Sequence, residues 1–177
     1  ALASIFNQKK GIAVCGVGGK STTSAMLAWI FTKTKREISY AVGVSEIMGL
    51  KTSGKWSKNS EYYEAEADEY IANPGAKDRG EEIIPRFSYL KPKIIISKRI
   101  LFDHPDAYSD FDDTLRVFNQ FFNKLKTGDT LILPKTERKK LDGWQKSDIW
   151  DYGEDKDSTF RAHYETPLGG SKKASYI

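Results

Sequence analysis

Between Gly11 and Thr23 the sequence reads Gly-Ile-Ala-Val-Cys-Gly-Val-Gly-Gly-Lys-Ser-Thr-Thr. A short apolar run is followed by Gly16, Gly18 and Gly19, then by Lys20 and the hydroxyls of Ser21, Thr22 and Thr23. These residue types in this order suit one task, holding a polyphosphate. Glycines let the backbone approach the phosphates and turn N–H groups inward. A helix starting at the lysine adds partial positive charge. Lys20 would neutralise the β- and γ-phosphates, and the Ser21 hydroxyl would reach Mg²⁺. The pattern is shorter than the full phosphate loop, because Val14 stands where the longer motif has its first glycine. It is no dinucleotide fingerprint either, since Ser21 replaces the third glycine. A ligand-free glycine turn would not need Lys-Ser-Thr-Thr behind it.

Two further groups carry chemistry. Glu66-Ala-Asp-Glu69 is an acidic cluster behind an apolar run, and Asp103-His104 follows the β-branched run Ile94-Ile-Ile96. Taken singly, the acids read as surface charge and the histidine as a loop residue. In an open α/β sheet, however, ligands bind at the carboxyl ends of the strands. All three groups fall at such ends. A hydroxyl, a carboxylate and an imidazole could there surround a Mg²⁺-nucleotide, with water and phosphate oxygens completing an octahedron.

The elements that must position these groups alternate in type. Strands are expected at 11–15, 38–43, 62–67, 93–97 and 130–133. A helix from Lys20 to Thr34 should bury Met26, Leu27, Ile30 and Phe31. Another from Phe111 to Leu125, capped by Asp110, should bury Phe111, Leu115, Phe118, Phe122 and Leu125. Residues 1–7 have helical character, with Leu2, Ile5 and Phe6 on one side. Residues 49–60 form a polar excursion around Trp56, and 85–90 a helical turn. The alternation argues a mostly parallel, doubly wound α/β sheet flanked by helices. Beyond residue 133 the texture changes. Lys135–Lys140 reads as a solvated basic face. Segments 148–152, 160–164 and 173–177 read as short strands, a small antiparallel β appendage. Domain organisation follows: 1–10 enter from a preceding domain, and 11–177 form one nucleotide-binding domain, cut short at its C-terminal end.

Composition narrows the classes. With 177 residues, 39% of them hydrophobic, the chain can bury a real core. No apolar run reaches the length of a membrane span. The net charge of +4 comes from lysines spread along the chain, which argues against a nucleic-acid footprint. The single cysteine, Cys15, permits no internal disulfide and fits a reducing cytoplasm.

With these motifs assembled, the chain resembles the central ATP-binding domain of the Mur ligases, the ATP-dependent amide-forming enzymes of peptidoglycan precursor synthesis. Gly16-Val-Gly-Gly-Lys-Ser-Thr-Thr23 is similar to their shortened phosphate loop. Glu66-Ala-Asp-Glu69 is similar to the signature of the branch acting on UDP-N-acetylmuramate. Phe102-Asp-His104 with Tyr108, Tyr152-Gly-Glu and Phe160-Arg-Ala match later segments. The resemblance implies that Gly16, Gly18, Gly19, Lys20, Ser21 and Thr22 hold ATP phosphates. It implies that Ser21, Glu66 and His104 hold Mg²⁺, with Lys20, Glu66 and His104 catalytic. The substrate carboxylate would be activated as an acyl phosphate and captured by an amine, L-alanine or a tripeptide.

Two positions depart from that pattern. Arg99 replaces an amide and Leu101 an acid in the segment before Phe102-Asp-His104. Arg99 is expected to pair with Glu66 or Asp68, or to touch phosphate. Two rival readings remain: a degenerate nucleotide-binding domain without catalysis, and an unrelated phosphate-loop phosphotransferase. The fragment by itself is expected not to turn over substrate.

Overall fold

The computed structural model describes residues 1–141, 147–165 and 173–176. The elements are α1 (Leu2–Phe6), β1 (Lys10–Cys15), α2 (Lys20–Lys33), β2 (Ile38–Ala41), β3 (Gly54–Lys55) and β4 (Tyr62–Glu66). After a 3₁₀ turn (Arg86–Tyr89) come β5 (Pro92–Ser97), α3 (Phe111–Phe122), β6 (Thr130–Pro134), α4 (Lys135–Arg138), β7 (Asp148–Gly153), β8 (Phe160–Glu165) and β9 (Lys173–Tyr176). They build one sheet in the order β3-β2-β4-β1-β5-β6-β7-β8-β9. From β2 to β8 every neighbouring pair is parallel. Among the described strands, β3 against β2 and β9 against β8 are the antiparallel pairs. The expected α/β class is therefore observed. The antiparallel appendage is confined to β8–β9, while β7 and the start of β8 extend the parallel sheet. Residue 177, expected in the last strand, lies outside the described residues.

The order places β1 centrally, with β4 and β2 on one side and β5 to β7 on the other. The chain thus reverses its direction of growth at the carboxyl end of β1. That is where a doubly wound sheet opens a crevice, and it is where the glycine loop sits.

The two faces are packed differently. One carries the main core: Ala13, Tyr63, Ala65, Ile95 and Leu131 from the sheet meet Phe6 of α1, Phe87 and α3. Phe87 stacks on Phe121 at 4.4 Å between ring centroids and meets Phe118 edge-on at 5.3 Å. In α3, Phe118 and Phe122 are buried, as is Leu125 just beyond the helix, and Phe111 and Leu115 are half-buried. The aromatic stripe is core, as its spacing predicts. Asp110 Oδ1 accepts a hydrogen bond from the Asp113 N–H at 2.8 Å and caps the helix.

The other face corrects the expected buried side of α2. In α2 the fully buried side chains are Ser24 and Ala28, not Met26 or Ile30, which are exposed; Leu27 and Phe31 are half-buried. Alternate residues of a strand share a face, so Tyr62, Glu64 and Glu66 of β4 form one row. Phe31 lies 6.3 Å from the Tyr62 ring and Ser21 donates to Glu66, which sets α2 along that row with Ser24 over Glu64. Small side chains let the helix approach the strand closely, and the bulky residues are turned outward. On the main-core face, α1 buries Phe6 and leaves Leu2 and Ile5 exposed.

The basic run 135–140 is not a solvated face. Arg138 pairs with the buried Asp151 at 2.6 Å, Lys135 with the same carboxylate at 3.5 Å, and Lys140 with the buried Glu137 at 2.8 Å. Two buried carboxylates at the end of the sheet recruit the cations. The excursion 49–60 supplies the short edge strand β3 and carries Trp56, which is covered by the Lys9 ammonium at 4.6 Å.

Candidate active site

β1 ends at Cys15, and the loop from Gly16 to Gly19 carries the chain to α2. Gly16, Gly18 and Gly19 all have positive φ, at 93°, 78° and 81°. Gly16 is required twice over. Its backbone is left-handed, and a Cβ there would lie 2.8 Å from the Arg99 carbonyl oxygen. That contact is part of a brace. The Val17 N–H donates to the Arg99 carbonyl at 2.7 Å and the Lys98 N–H to the Cys15 carbonyl at 2.8 Å. The segment after β5 therefore fixes the loop's shape. Gly19 is the N-cap of α2 and offers no capping side chain, so the first N–H groups of the helix face the crevice.

Lys20 points across this crevice and pairs with Glu69 at 2.7 Å. Ser21 Oγ donates to Glu66 Oε1 at 3.0 Å, and the Gly43 N–H donates to Glu66 Oε2 at 3.0 Å. Glu66 is thereby held by the start of α2 on one side and by the end of β2 on the other. Asp68 borders the same crevice but is engaged at its edge, where it takes Arg86 at 2.7 Å and the Tyr70 N–H at 2.9 Å.

His104 opens a turn closed by the N–H groups of Ala107 and Tyr108 on its carbonyl. Its Nε2 lies 3.7 Å from Glu69 Oε1 and 4.0 Å from Asp103 Oδ2. The Tyr70 ring meets the imidazole edge-on at 5.1 Å. Tyr108 is buried and donates through its hydroxyl to the Glu69 carbonyl, which ties the histidine turn to the acidic loop. Burial, with Glu69 nearby, raises the Tyr108 phenol well above its ordinary value and keeps that donor protonated.

Lys20, Glu66, Glu69, Asp103 and His104 thus line one cleft of about 500 Å³, and Ser21 reaches it through Glu66. The expected trio Ser21, Glu66 and His104 is brought to that cleft in two parts. Ser21 and Glu66 touch; His104 sits instead with Glu69 and Asp103. Ligand atoms of these last three lie within 4.8 Å of one another. Glu69, 2% exposed, has a buried Oε2 without a hydrogen-bond partner among the described residues. A buried carboxylate oxygen is costly to leave unpaired, so the site suits a cation. Carboxylate oxygens of Glu69 and Asp103 suit Mg²⁺, Ser21 and Glu66 offer further oxygen donors, and imidazole is its least preferred donor here.

Glu69 is the residue that reasoning from sequence passed over as a ligand. Its signal was present, an acid three places beyond Glu66, but nothing local says that the chain turns there to face Lys20. Arg99 is exposed, and neither Glu66 nor Asp68 is its partner. The expected pairing is not formed, because both acids are already satisfied by nearer donors. Leu101 is 42% exposed.

This arrangement can now be set beside known proteins. The family model described as Mur ligase middle domain matches residues 14–174. The chain belongs to the Mur ligase family. It is 34% identical over 125 residues to the UDP-N-acetylmuramate–L-alanine ligase of Carboxydothermus hydrogenoformans, covering 71% of this chain and 24% of that protein. Against the enzyme of the same name from Streptomyces griseus it is 29% identical over 183 residues, covering all of this chain and 36% of that protein. The chain therefore spans roughly a quarter to a third of the length of these curated relatives. In fold it is similar to the UDP-N-acetylmuramate:L-alanyl-γ-D-glutamyl-meso-diaminopimelate ligase from Neisseria meningitides, with a TM-score of 0.77 at 19% identity over 98% of this chain and 54% of that one. The MurF ligase from Thermotoga maritima in complex with ADP gives a TM-score of 0.67 at 15% identity over 99% and 41% of the two chains. No described helix of this Mur ligase middle domain is long and apolar enough to cross a membrane.

Proposed function

We propose that the chain is the ATP-binding central domain of a ligase that joins L-alanine to UDP-N-acetylmuramate. The observation that supports it best is the single cleft lined by Lys20, Glu66, Glu69 and His104 beside the start of α2. The names of the relatives support the choice of substrates. The glycine loop would hold the ATP phosphates. Lys20, paired with Glu69 at 2.7 Å, would exchange that carboxylate for phosphate oxygens and neutralise the transferring group. Ser21, Glu66, Glu69 and His104 would hold Mg²⁺, which would supply positive charge against the phosphates.

In the reaction, the muramate carboxylate attacks the γ-phosphorus and ADP leaves. The amine then attacks the acyl carbon of the acyl phosphate, loses a proton and expels inorganic phosphate. The contribution of this domain is alignment and charge neutralisation. ATP and a nucleotide-linked sugar as substrates would put the reaction in the cytoplasm.

A second reading, nucleotide binding without catalysis, is favoured by Leu101, an exposed apolar side chain unable to hold a proton or cation. Phosphate release separates the two. The native protein containing this chain is expected to release phosphate from ATP when given UDP-N-acetylmuramate and L-alanine, and Lys20→Ala to abolish it. Release with a tripeptide in place of L-alanine would reassign the amine. No release with either, alongside intact binding of an ATP analogue, would establish the second reading.

A further inference from the structure

The glycine loop has a second cation beside it that neither the motif nor the metal site uses. Lys98 follows β5, and its backbone is stitched to the loop by the hydrogen bond to the Cys15 carbonyl and by the Val17–Arg99 bridge. Its side chain then runs along the loop. Lys98 Cε lies 3.6 Å from the point where a Cβ on Gly19 would stand, at the N-cap of α2. The ammonium rests 5.8 Å from the centroid of the Tyr152 ring. That ring is fixed from the far side, because the Tyr152 hydroxyl donates to the Ser97 carbonyl at 3.3 Å.

The two lysines at the loop are in opposite electrostatic states. Lys20 is neutralised by the buried Glu69. No carboxylate among the described residues lies within ion-pair distance of Lys98, which is half-buried. An unpaired ammonium beside the positive end of a 14-residue helix is unfavourable until an anion arrives. A ring face is a weak resting place for it, and a charge-assisted hydrogen bond to phosphate is stronger.

We propose that Lys98 is a second phosphate-binding cation of this loop, leaving the Tyr152 ring to contact the polyphosphate of a bound nucleoside triphosphate. Lys20 would then neutralise one side of the phosphate chain and Lys98 the other. This rests on the nucleotide reading above.

The test is calorimetric titration of the native protein containing this chain with a non-hydrolysable ATP analogue and Mg²⁺, at two salt concentrations. Four forms are compared: wild type, Lys98→Met, Lys98→Arg and Lys20→Met. Lys98→Met keeps the length and packing of the stem and removes the charge. It is expected to weaken binding about tenfold and to flatten the salt dependence, while Lys98→Arg stays within about threefold of wild type. A purely structural lysine would leave the salt dependence unchanged, and that result overturns the proposal. If Lys20→Met weakens binding while Lys98→Met equals wild type, the inference about Lys98 fails and the nucleotide site stands. If the wild type binds no analogue, the nucleotide reading falls and takes the inference with it.

Discussion

Glu64 is the most exacting test of how this sheet is built. It lies in the middle of β4, opposite Ile12 of β1 and Tyr40 of β2, and has no exposed surface. Neither carboxylate oxygen has a hydrogen-bond partner among the described residues. Burial pushes the Glu64 carboxyl from its ordinary 4.5 up to about 8; the Ser24 hydroxyl, facing it from α2 without completing a hydrogen bond, offsets only part of that, and Glu66 adds to it. The folded state therefore keeps a proton that the unfolded chain gives up. Stability is greatest below the unfolded value of 4.5, falls as pH rises, and levels off above about 8. At ~1.4 kcal/mol per tenfold change, the full loss is about 5 kcal/mol, and about 3 kcal/mol is already lost at neutral pH. Glu64→Gln keeps the shape and removes the titration. Urea unfolding of both proteins from pH 5 to pH 9 reads the effect directly. The variant should match wild type within ~1 kcal/mol at pH 5 and exceed it by several kcal/mol at pH 9. Parallel curves for the two proteins across that range would refute the assignment of a buried, protonated carboxyl.

Three other outcomes follow from particular contacts. Gly16→Ala sets a Cβ 2.8 Å from the Arg99 carbonyl at a positive φ, so it should cost ~2–3 kcal/mol in urea unfolding and weaken binding of an ATP analogue in the same protein. Asp151→Ala strands Arg138 and Lys135 and should cost ~2–3 kcal/mol at neutral pH, less than a fully buried pair because Arg138 is half exposed. Burial by itself would raise the Asp151 carboxyl, but the Thr159 N–H, Arg138 and Lys135 together hold it below the ordinary 3.8; its contribution is present above that pH and fades as pH falls further, which acid titration of wild type against variant will read. Burial drives the Cys15 thiol up to about 12, so thiol reagents at pH 8 should label it only at the rate of unfolding, with labelling of the folded protein on mixing as the contrary result.

Much of the site was legible because its signals are local. A strand, three glycines, Lys20 and hydroxyls in thirteen residues specify a loop and a helix start without any distant partner. The capped aromatic helix α3 was equally plain, since Asp110 and the spacing of Phe118, Phe122 and Leu125 act within a few turns. The buried face of α2 was not legible. Apolar residues occur around that helix, and the choice of face was made by the Tyr62-Glu64-Glu66 row beneath it, which admits small side chains.

The sequence by itself determined the α/β alternation, the glycine loop and the acidic and imidazole groups at strand ends, because periodicity and turn chemistry act between near neighbours. Only the tertiary structure decided which acid meets Lys20. Glu69, 49 residues away in the chain, takes that place rather than Glu66, because Ser21 and the Gly43 N–H reach Glu66 first while Tyr108 anchors the backbone of Glu69. The same packing laid Lys98 against the loop and left Arg99 without a carboxylate partner among the described residues. Charge can be counted from the letters, but the partner that neutralises it is fixed by distance, and distance belongs to the fold.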